Sequence, residues 1–393
     1  ILLSAVVSII YFLNRSDSLT FVTYFLSKTV NQKELLSLYK AEGHIKALAE
    51  CIKPNENTKV QLKGLIGSQD AIVAAATYQL NHQNHIFILH EKEEAAYFHN
   101  DLQNLMGDKE VLLFPSSYKR PYQFEEIENA NILMRAEILN RINNKSTAGE
   151  LIVTYPEALN EKVINKKSLV KNTFTAKVGE SVDGEFLTDL LLTYGFIQDD
   201  FVYEPGQFAI RGGIIDVFSY AGEWPYRIEL FGDEIESIRT FDPENQLSKD
   251  PLKVVNIIPN IQTKLLEETR ESFLDYVPNN SKIWIKDYQN TIDVIDKSFE
   301  RAQESFSSIM EASDSSNIAL KPEELFETGT SFDAAIAKYV KIEFGNRFHF
   351  KSTNNFQFDS SPQPSFNKDF KLIAESLENY QEKDYTTLVA SES

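Results

Sequence analysis

Between residues 31 and 154 short apolar runs alternate with stretches of helical spacing. Leu35, Leu36, Leu38, Tyr39 and Ile45 predict a short amphipathic helix over Asn31 to Lys46, broken at Gly43. Val60 to Leu65 then reads as a buried strand, Gly67-Ser68 as a turn and Asp70 to Leu80 as an Ala-rich helix. His85 to Leu89, Val111 to Phe114 and Leu151 to Thr154 read as further strands. Glu91 to Leu105, with Ala95, Phe98 and Leu102 on one side, and Asn131 to Ile142 read as helices. Alternation of this kind produces a parallel sheet covered by helices.

The pattern changes after Lys171. Four β-like runs follow: Gln207–Phe218, Tyr226–Phe231, Ile235–Phe241 and Val254–Ile258. Turn signals at Ala221-Gly222, Gly232-Asp233 and Asp242-Pro243 separate them. An antiparallel meander is expected, with the helical stretch Asp183 to Tyr194 packed on it as a separate α+β domain. From Leu265 the chain is more polar, with helices expected at Glu267–Tyr276 and Tyr288–Gln303 and a mobile Ser-rich connection at Ser305 to Ser316. Val340 to Lys351 returns to strand-like alternation, and Ser352 to Asn367 reads as loop. No internal repeat is visible.

Composition narrows the classes. A chain of 393 residues with 42% apolar residues has material for two or three cores. The net charge of −19 repels a phosphate backbone over most of the surface, which weakens any DNA-binding reading. The single Cys51 excludes an intramolecular disulfide and a cysteine-based zinc site, and fits a reducing cytoplasm. Ile1 to Leu13 is apolar yet too short to span a bilayer, and is read as a fragment edge or a stretch outside the fold. His82 and His85 straddle an expected loop with no converging ligands, so both are read as surface histidines rather than a metal site.

The strongest local signal runs from Gly206 to Phe218 (GQFAIRGGIIDVF), followed by Tyr226 to Arg239 (YRIELFGDEIESIR). Physically it is a strand with a Gly212-Gly213 kink, then a hairpin and a second tight turn. This stretch resembles the second domain shared by UvrB and the transcription-repair coupling factors (Mfd). Their pattern is a G-x-[FY]-x-x-R-G strand, an apolar D-[IV]-F segment and R-[IVL]-[ED]-[FL]-F-x-[DE]-E-[IV]-[ED]. A weaker likeness runs from Val30 to Asn260.

The resemblance implies docking onto UvrA through an arginine near the end of the first strand, which here is Arg211. The implied UvrA-binding set is Arg211, Ile215 and Phe208. By strand parity Arg211 takes the outer face, and Phe208 and Ile210 take the core side. Ile215 shares the parity of Arg211 if the glycine pair leaves the register unshifted; burial after a bulge is the equal alternative. UvrB has basic residues where this chain has Gln198 and Ala209, so docking should lean on Arg211. Reversal of Arg211 to Glu should leave folding intact.

Gly64-Leu65-Ile66-Gly67-Ser68-Gln69-Asp70-Ala71 lies between a strand and a helix, where UvrB carries a nucleotide loop of the form G-x-x-x-x-G-K-[ST]. Gln69 stands for the second glycine, Asp70 for the lysine and Ala71 for the hydroxyl residue. A carboxylate facing phosphates repels them where neutralisation is needed, so the loop is read as non-functional and Asp70 as a helix-start residue. The chain also passes from Pro121 to Asn129-Ala130-Asn131 without the long tyrosine-rich hairpin of UvrB. Tyr118, Lys119, Arg120 and Tyr122 form at most a small nucleic-acid patch, with a solvated loop as the plainer reading.

The expected fold class is α/β. Residues 1–29 are a fragment edge or non-domain segment, and 30–171 a degenerate helicase-like, P-loop-type parallel-sheet domain. Residues 172–260 are an inserted α+β antiparallel-sheet domain that binds UvrA. Residues 261–393 are a helical portion returning to the first domain, truncated before RNA polymerase-binding and translocase domains. The resemblance implies a cytoplasmic, non-enzymatic module that recruits UvrA to stalled transcription complexes for nucleotide excision repair. It implies no cofactor in this chain, ATP and Mg belonging to motor domains outside it, and RNA polymerase and DNA reached through those other domains. The rival readings are a UvrB-type ATP-dependent repair subunit and a purely structural scaffold.

Overall fold

The computed structural model describes residues 32–53, 58–117, 121–122, 129–143, 149–260, 269–312, 320–352, 354–362, 365–367, 369–383 and 385. The Ile1 to Leu13 run and Tyr118, Lys119 and Arg120 lie outside them. Helices α1 (Gln32–Ala41) and α2 (Gly43–Cys51) are separated at Glu42, whose carboxylate accepts from His44 N and caps the second helix. They pack on α3 (Gln69–Tyr78), which follows β1 (Lys59–Lys63). Then come β2 (His85–Ile88), α4 (Lys92–Met106), β3 (Val111–Leu113), α5 (Asn129–Asn143) and β4 (Leu151–Thr154). Every residue of β2 and β4 is buried, as expected of strands covered on both faces.

The chain next forms α6 (Pro156–Asn160), β5 (Val163–Ile164), α7 (Lys166–Lys171), β6 (Phe174–Lys177) and α8 (Gly184–Thr193). A second sheet follows, of β7 (Ile197–Gln198), β8 (Gln207–Arg211), β9 (Ile214–Val217), β10 (Tyr226–Phe231), β11 (Glu234–Phe241) and β12 (Ser248–Leu252), in the order β12-β11-β10-β9-β8-β7. All its pairs are antiparallel except β7 with β8. Two expectations are corrected here. Gln207–Phe218 is not one kinked strand: Gly212 at φ +62° and Gly213 close a two-residue hairpin. The run at Val254–Ile258 does not join the meander, because the polar β12 takes the place beside β11. Instead β13 (Val254–Ile257) pairs antiparallel with β6.

After β14 (Arg270–Glu271), which pairs with β5, comes α9 (Phe273–Tyr276), the only helix among the described residues of the stretch 267–276, of which 267 and 268 lie outside them. Next come β15 (Lys282–Lys286), α10 (Tyr288–Ala312), α11 (Pro322–Leu325), α12 (Gly329–Ile336), β16 (Val340–Gly345), β17 (Asn354–Gln357) and α13 (Phe370–Glu382). Residues 305–312, expected to be loose, continue α10, and β17 lies in the expected loop. β15 was not foreseen, yet it lies at the centre of an all-parallel seven-stranded sheet ordered β17-β1-β16-β15-β2-β4-β3. The polar final third thus supplies three of its strands, two of them interior. The architecture is α/β, with the antiparallel sheet lying in sequence between β4 and β15. Among the described residues no helix is long and apolar enough to cross a membrane.

His85 is the other correction: it is fully buried in the first sheet, not on the surface. The Trp284 indole N–H donates to its Nδ1 at 3.0 Å, so Nε2 carries the proton and donates to the Asn81 carbonyl at 3.1 Å. Burial outweighs that carbonyl and holds the imidazole pKa at about 3, against 6.5 ordinarily. The unfolded chain therefore binds the extra proton first. His85 contributes its full stability above pH 6.5, and loses it as the pH falls toward 3. In urea unfolding, the penalty of His85→Gln relative to the parent should shrink by about 2 kcal/mol between pH 7 and pH 4.5; a penalty independent of pH would refute this account.

Candidate functional site

Arg211 closes β8 beside the hairpin turn, and its side chain is 37% exposed. Pairing of Arg211 with Ile214 and of Ala209 with Asp216 brings Asp216 onto the same sheet face. Asp216 is fully buried. Its Oδ2 accepts from Arg211 Nη2, and its two oxygens accept from Arg227 Nε at 2.7 Å and Nη2 at 2.8 Å. Hydrogen bonding to Asp216 outweighs burial and makes the Arg227 guanidinium more basic than usual. Arg211 Nη1 also donates to the Asp200 carbonyl at 2.8 Å, and the guanidinium lies 5.5 Å from the centre of the Phe201 ring. Phe201 and Tyr203 are exposed while Val202 between them is buried with Ala209, Phe218 and Phe241.

The other two residues of the expected docking set lie elsewhere. Phe208 and Ile215 are 0% and 2% exposed, and both belong to the main core. Phe208 thus sits on the core side that parity assigned to it, and neither side chain is offered to a partner. For Ile215 the reason is the hairpin: Ile215 pairs with Ile210, on the face opposite Arg211. Asp216 and Arg227 are the residues that sequence reasoning missed. An acidic residue inside the apolar run Ile214 to Phe218 was the available signal.

The Gly64 to Ala71 segment joins β1 to α3 and lines a cleft of about 400 Å³. Gly64 and Gly67 both take positive φ, +82° and +59°. At Gly64 the reason is the chain's own passage: Phe358 N donates to the Lys63 carbonyl, and a Cβ on Gly64 would collide with the Phe358 carbonyl oxygen. Gln69 accepts from Ser360 Oγ at 2.6 Å. Asp70 lies in the first turn of α3, where its Oδ1 accepts from Ala71 N. Lys286, from the end of β15, reaches Asp70 at 3.1 Å and Glu94 at 2.6 Å. Burial pushes the Asp70 carboxyl up, with Lys286 only partly offsetting it. Burial also opposes the Glu94 charge, but hydrogen bonds from His90 and Lys286 prevail and hold its pKa at about 2. A lysine is therefore present at this cleft, but it is committed to two carboxylates.

Comparison with known proteins bears on both places. Residues 174–262 match the family model described as the UvrB interaction domain. Over 207 residues the chain is 33% identical to the transcription-repair-coupling factor of Bacillus subtilis (strain 168), covering 52% of this chain and 17% of that protein. It is 28% identical over 268 residues to that of Staphylococcus aureus (strain bovine RF122 / ET3-1), covering 67% of this chain and 22% of the relative. The Myxococcus xanthus protein of the same name is 29% identical over 218 residues, covering 54% and 18%. This chain resembles the transcription-repair coupling factors. It spans about a fifth of the length of these relatives. The UvrB interaction domain match contains Arg211, Asp216 and Arg227, whereas the Gly64 to Ala71 segment lies outside it.

In this coupling-factor-like chain, Arg211→Glu is not the neutral surface change expected from sequence. It would set a carboxylate against the buried Asp216, so truncation to Ala is the cleaner probe. At the cleft, Lys286→Met removes the cation shared by two carboxylates, leaving Glu94 with His90 and Asp70 with Ala71 N. Because the folded Glu94 pKa is about 2 against 4.5 ordinarily, its contribution is present above pH 4.5 and lost toward pH 2. Lys286→Met should cost about 2–3 kcal/mol at pH 7 in urea unfolding, with the cost fading below pH 4 as both carboxyls protonate. An equal cost at pH 7 and pH 3 would contradict this.

Proposed function

We propose that this chain is the N-terminal part of a transcription-repair coupling factor and recruits UvrA to stalled transcription complexes for nucleotide excision repair. The observation that carries the reading is Arg211, exposed on the antiparallel sheet within the segment that matches the UvrB interaction domain. A guanidinium with donors to spare suits recognition of a carboxylate on a protein partner. On this reading the chain has no ATPase and holds no cofactor. Its support is the cleft at Gly64 to Ala71, where Asp70 and Glu94 engage the one lysine among the cleft-lining residues and would oppose phosphates. RNA polymerase and DNA contacts, and an ATP- and Mg-driven motor, belong to other parts of the longer protein, whose location is cytoplasmic. The rival UvrB-type ATP-dependent subunit needs a phosphate-binding loop instead.

Calorimetry with purified UvrA tests the docking half. Arg211→Ala should weaken binding at least about tenfold, the loss expected of an interface anchor. Arg239→Ala, which leaves Glu229 in the same sheet with Ser237 as its partner, should change it less than about twofold. Equal losses from both would move the docking surface elsewhere. Millimolar Mg-ATP should leave the melting temperature of the chain unchanged, and a saturable rise would favour the UvrB-type reading.

A further inference from the structure

We infer that Asp216 is the positioning residue for the docking arginine: a buried carboxylate that fixes Arg211 in the orientation UvrA meets, while Arg227 grips that carboxylate from the neighbouring strand. The inference rests on the docking reading above and adds the element that makes Arg211 selective. Arg211 is held on three sides. Asp216 takes one Nη2 hydrogen, the Asp200 carbonyl takes one Nη1 hydrogen, and the Phe201 ring lies against the guanidinium. Two of the five N–H donors of an arginine are thereby used, and the rest are left for a partner. An arginine held in this way gives up less rotamer freedom on binding than one moving free in solvent.

Arg227 makes the arrangement separable from folding. It is 14% exposed at its side chain and grips Asp216 through two nitrogens, with a third hydrogen bond to the Gln246 carbonyl at 3.2 Å and its guanidinium 4.5 Å from the Phe241 ring centre. When Arg211 is truncated, Asp216 keeps this bidentate partner and the sheet keeps its charge balance. Asp216 therefore serves Arg211 in docking and Arg227 in folding. Asp216→Asn preserves shape and one acceptor oxygen while removing the charge that aligns the exposed arginine.

The test combines a thermodynamic cycle with a spectroscopic signature. Affinity for UvrA would be measured for the parent, Arg211→Ala, Asp216→Asn and the double variant, each checked for a cooperative urea transition. Slowly rotating Arg211 side-chain N–H signals would be followed by ¹⁵N NMR in the free chain. Asp216→Asn should weaken binding about fivefold to tenfold when Arg211 is present and less than about twofold when it is Ala, and should broaden the Arg211 signals. The same loss in both backgrounds would mean that Asp216 acts on the fold generally, and overturns the inference. Unchanged affinity despite broadened signals overturns it too. If Arg211→Ala alone leaves affinity unchanged, the docking reading fails, and the NMR signature separately decides whether Asp216 holds Arg211. Should Asp216→Asn not fold, the parent chain decides by the same spectra: slowly rotating Arg211 side-chain N–H signals are expected in the free chain, and a freely rotating guanidinium overturns the inference.

Discussion

A carboxylate sealed from water must have its counter-charges built in place, and Asp216 imposes that condition on the antiparallel sheet. Desolvating such an ion costs several kcal/mol, which only close, well-directed cations offset. Arg227 meets the need from β10 and Arg211 from β8, so one buried group ties together three consecutive strands. The tie depends on register. Arg211 pairs with Ile214 across a two-residue turn, and Gly212 adopts the positive φ that this turn needs. One residue more in the turn would carry Asp216 to the face of Phe208 and Ile210 and turn Ile215 and Val217 out of the core.

The first sheet solves a related problem with a different outcome. In open α/β sheets the space beyond the carboxyl ends of the strands is where ligands usually sit. Here the chain fills that edge with itself. Lys286 leaves β15 to meet Asp70 and Glu94, Ser360 seats on Gln69, and the residues after β17 run so close to Gly64 that no side chain fits there. The glycine that looks like a remnant of phosphate binding has a present structural reason. Both places pair carboxylates with cations. Among the described cleft-lining residues the one lysine is committed inward, whereas of the two cations on Asp216 one remains exposed toward solvent.

Much of the fold was legible in the residues. The strands and helices from Val60 to Thr154 follow from apolar runs and 3.6-residue spacing, and the UvrB-like motif from Gly206 to Arg239 was specific enough to point to the family before any geometry. The exposed position of Arg211 also followed from its own strand, because side-chain parity is a local property. By contrast, the Lys282 to Lys286 run looks like a polar stretch with a short apolar centre, and only burial on both faces makes it the middle of a sheet. Ser248 to Leu252 carries no alternation at all and becomes a strand because β11 has a free edge beside it.

The sequence by itself determined which segments are apolar enough to be strands and helices, that an acidic residue, Asp70, opens the helix after Gly67, and that the exposed cation at the end of β8 is an arginine. Tertiary structure alone decided which face Ile215 takes, that Asp216 lies beneath Arg211 and is shared with Arg227, and that Lys286 reaches across 216 residues to Asp70. The physical reason is the range of the forces involved. Propensity and periodicity act within a few residues, whereas the cost of burying a charge is settled only when the fold brings its partner from elsewhere in the chain.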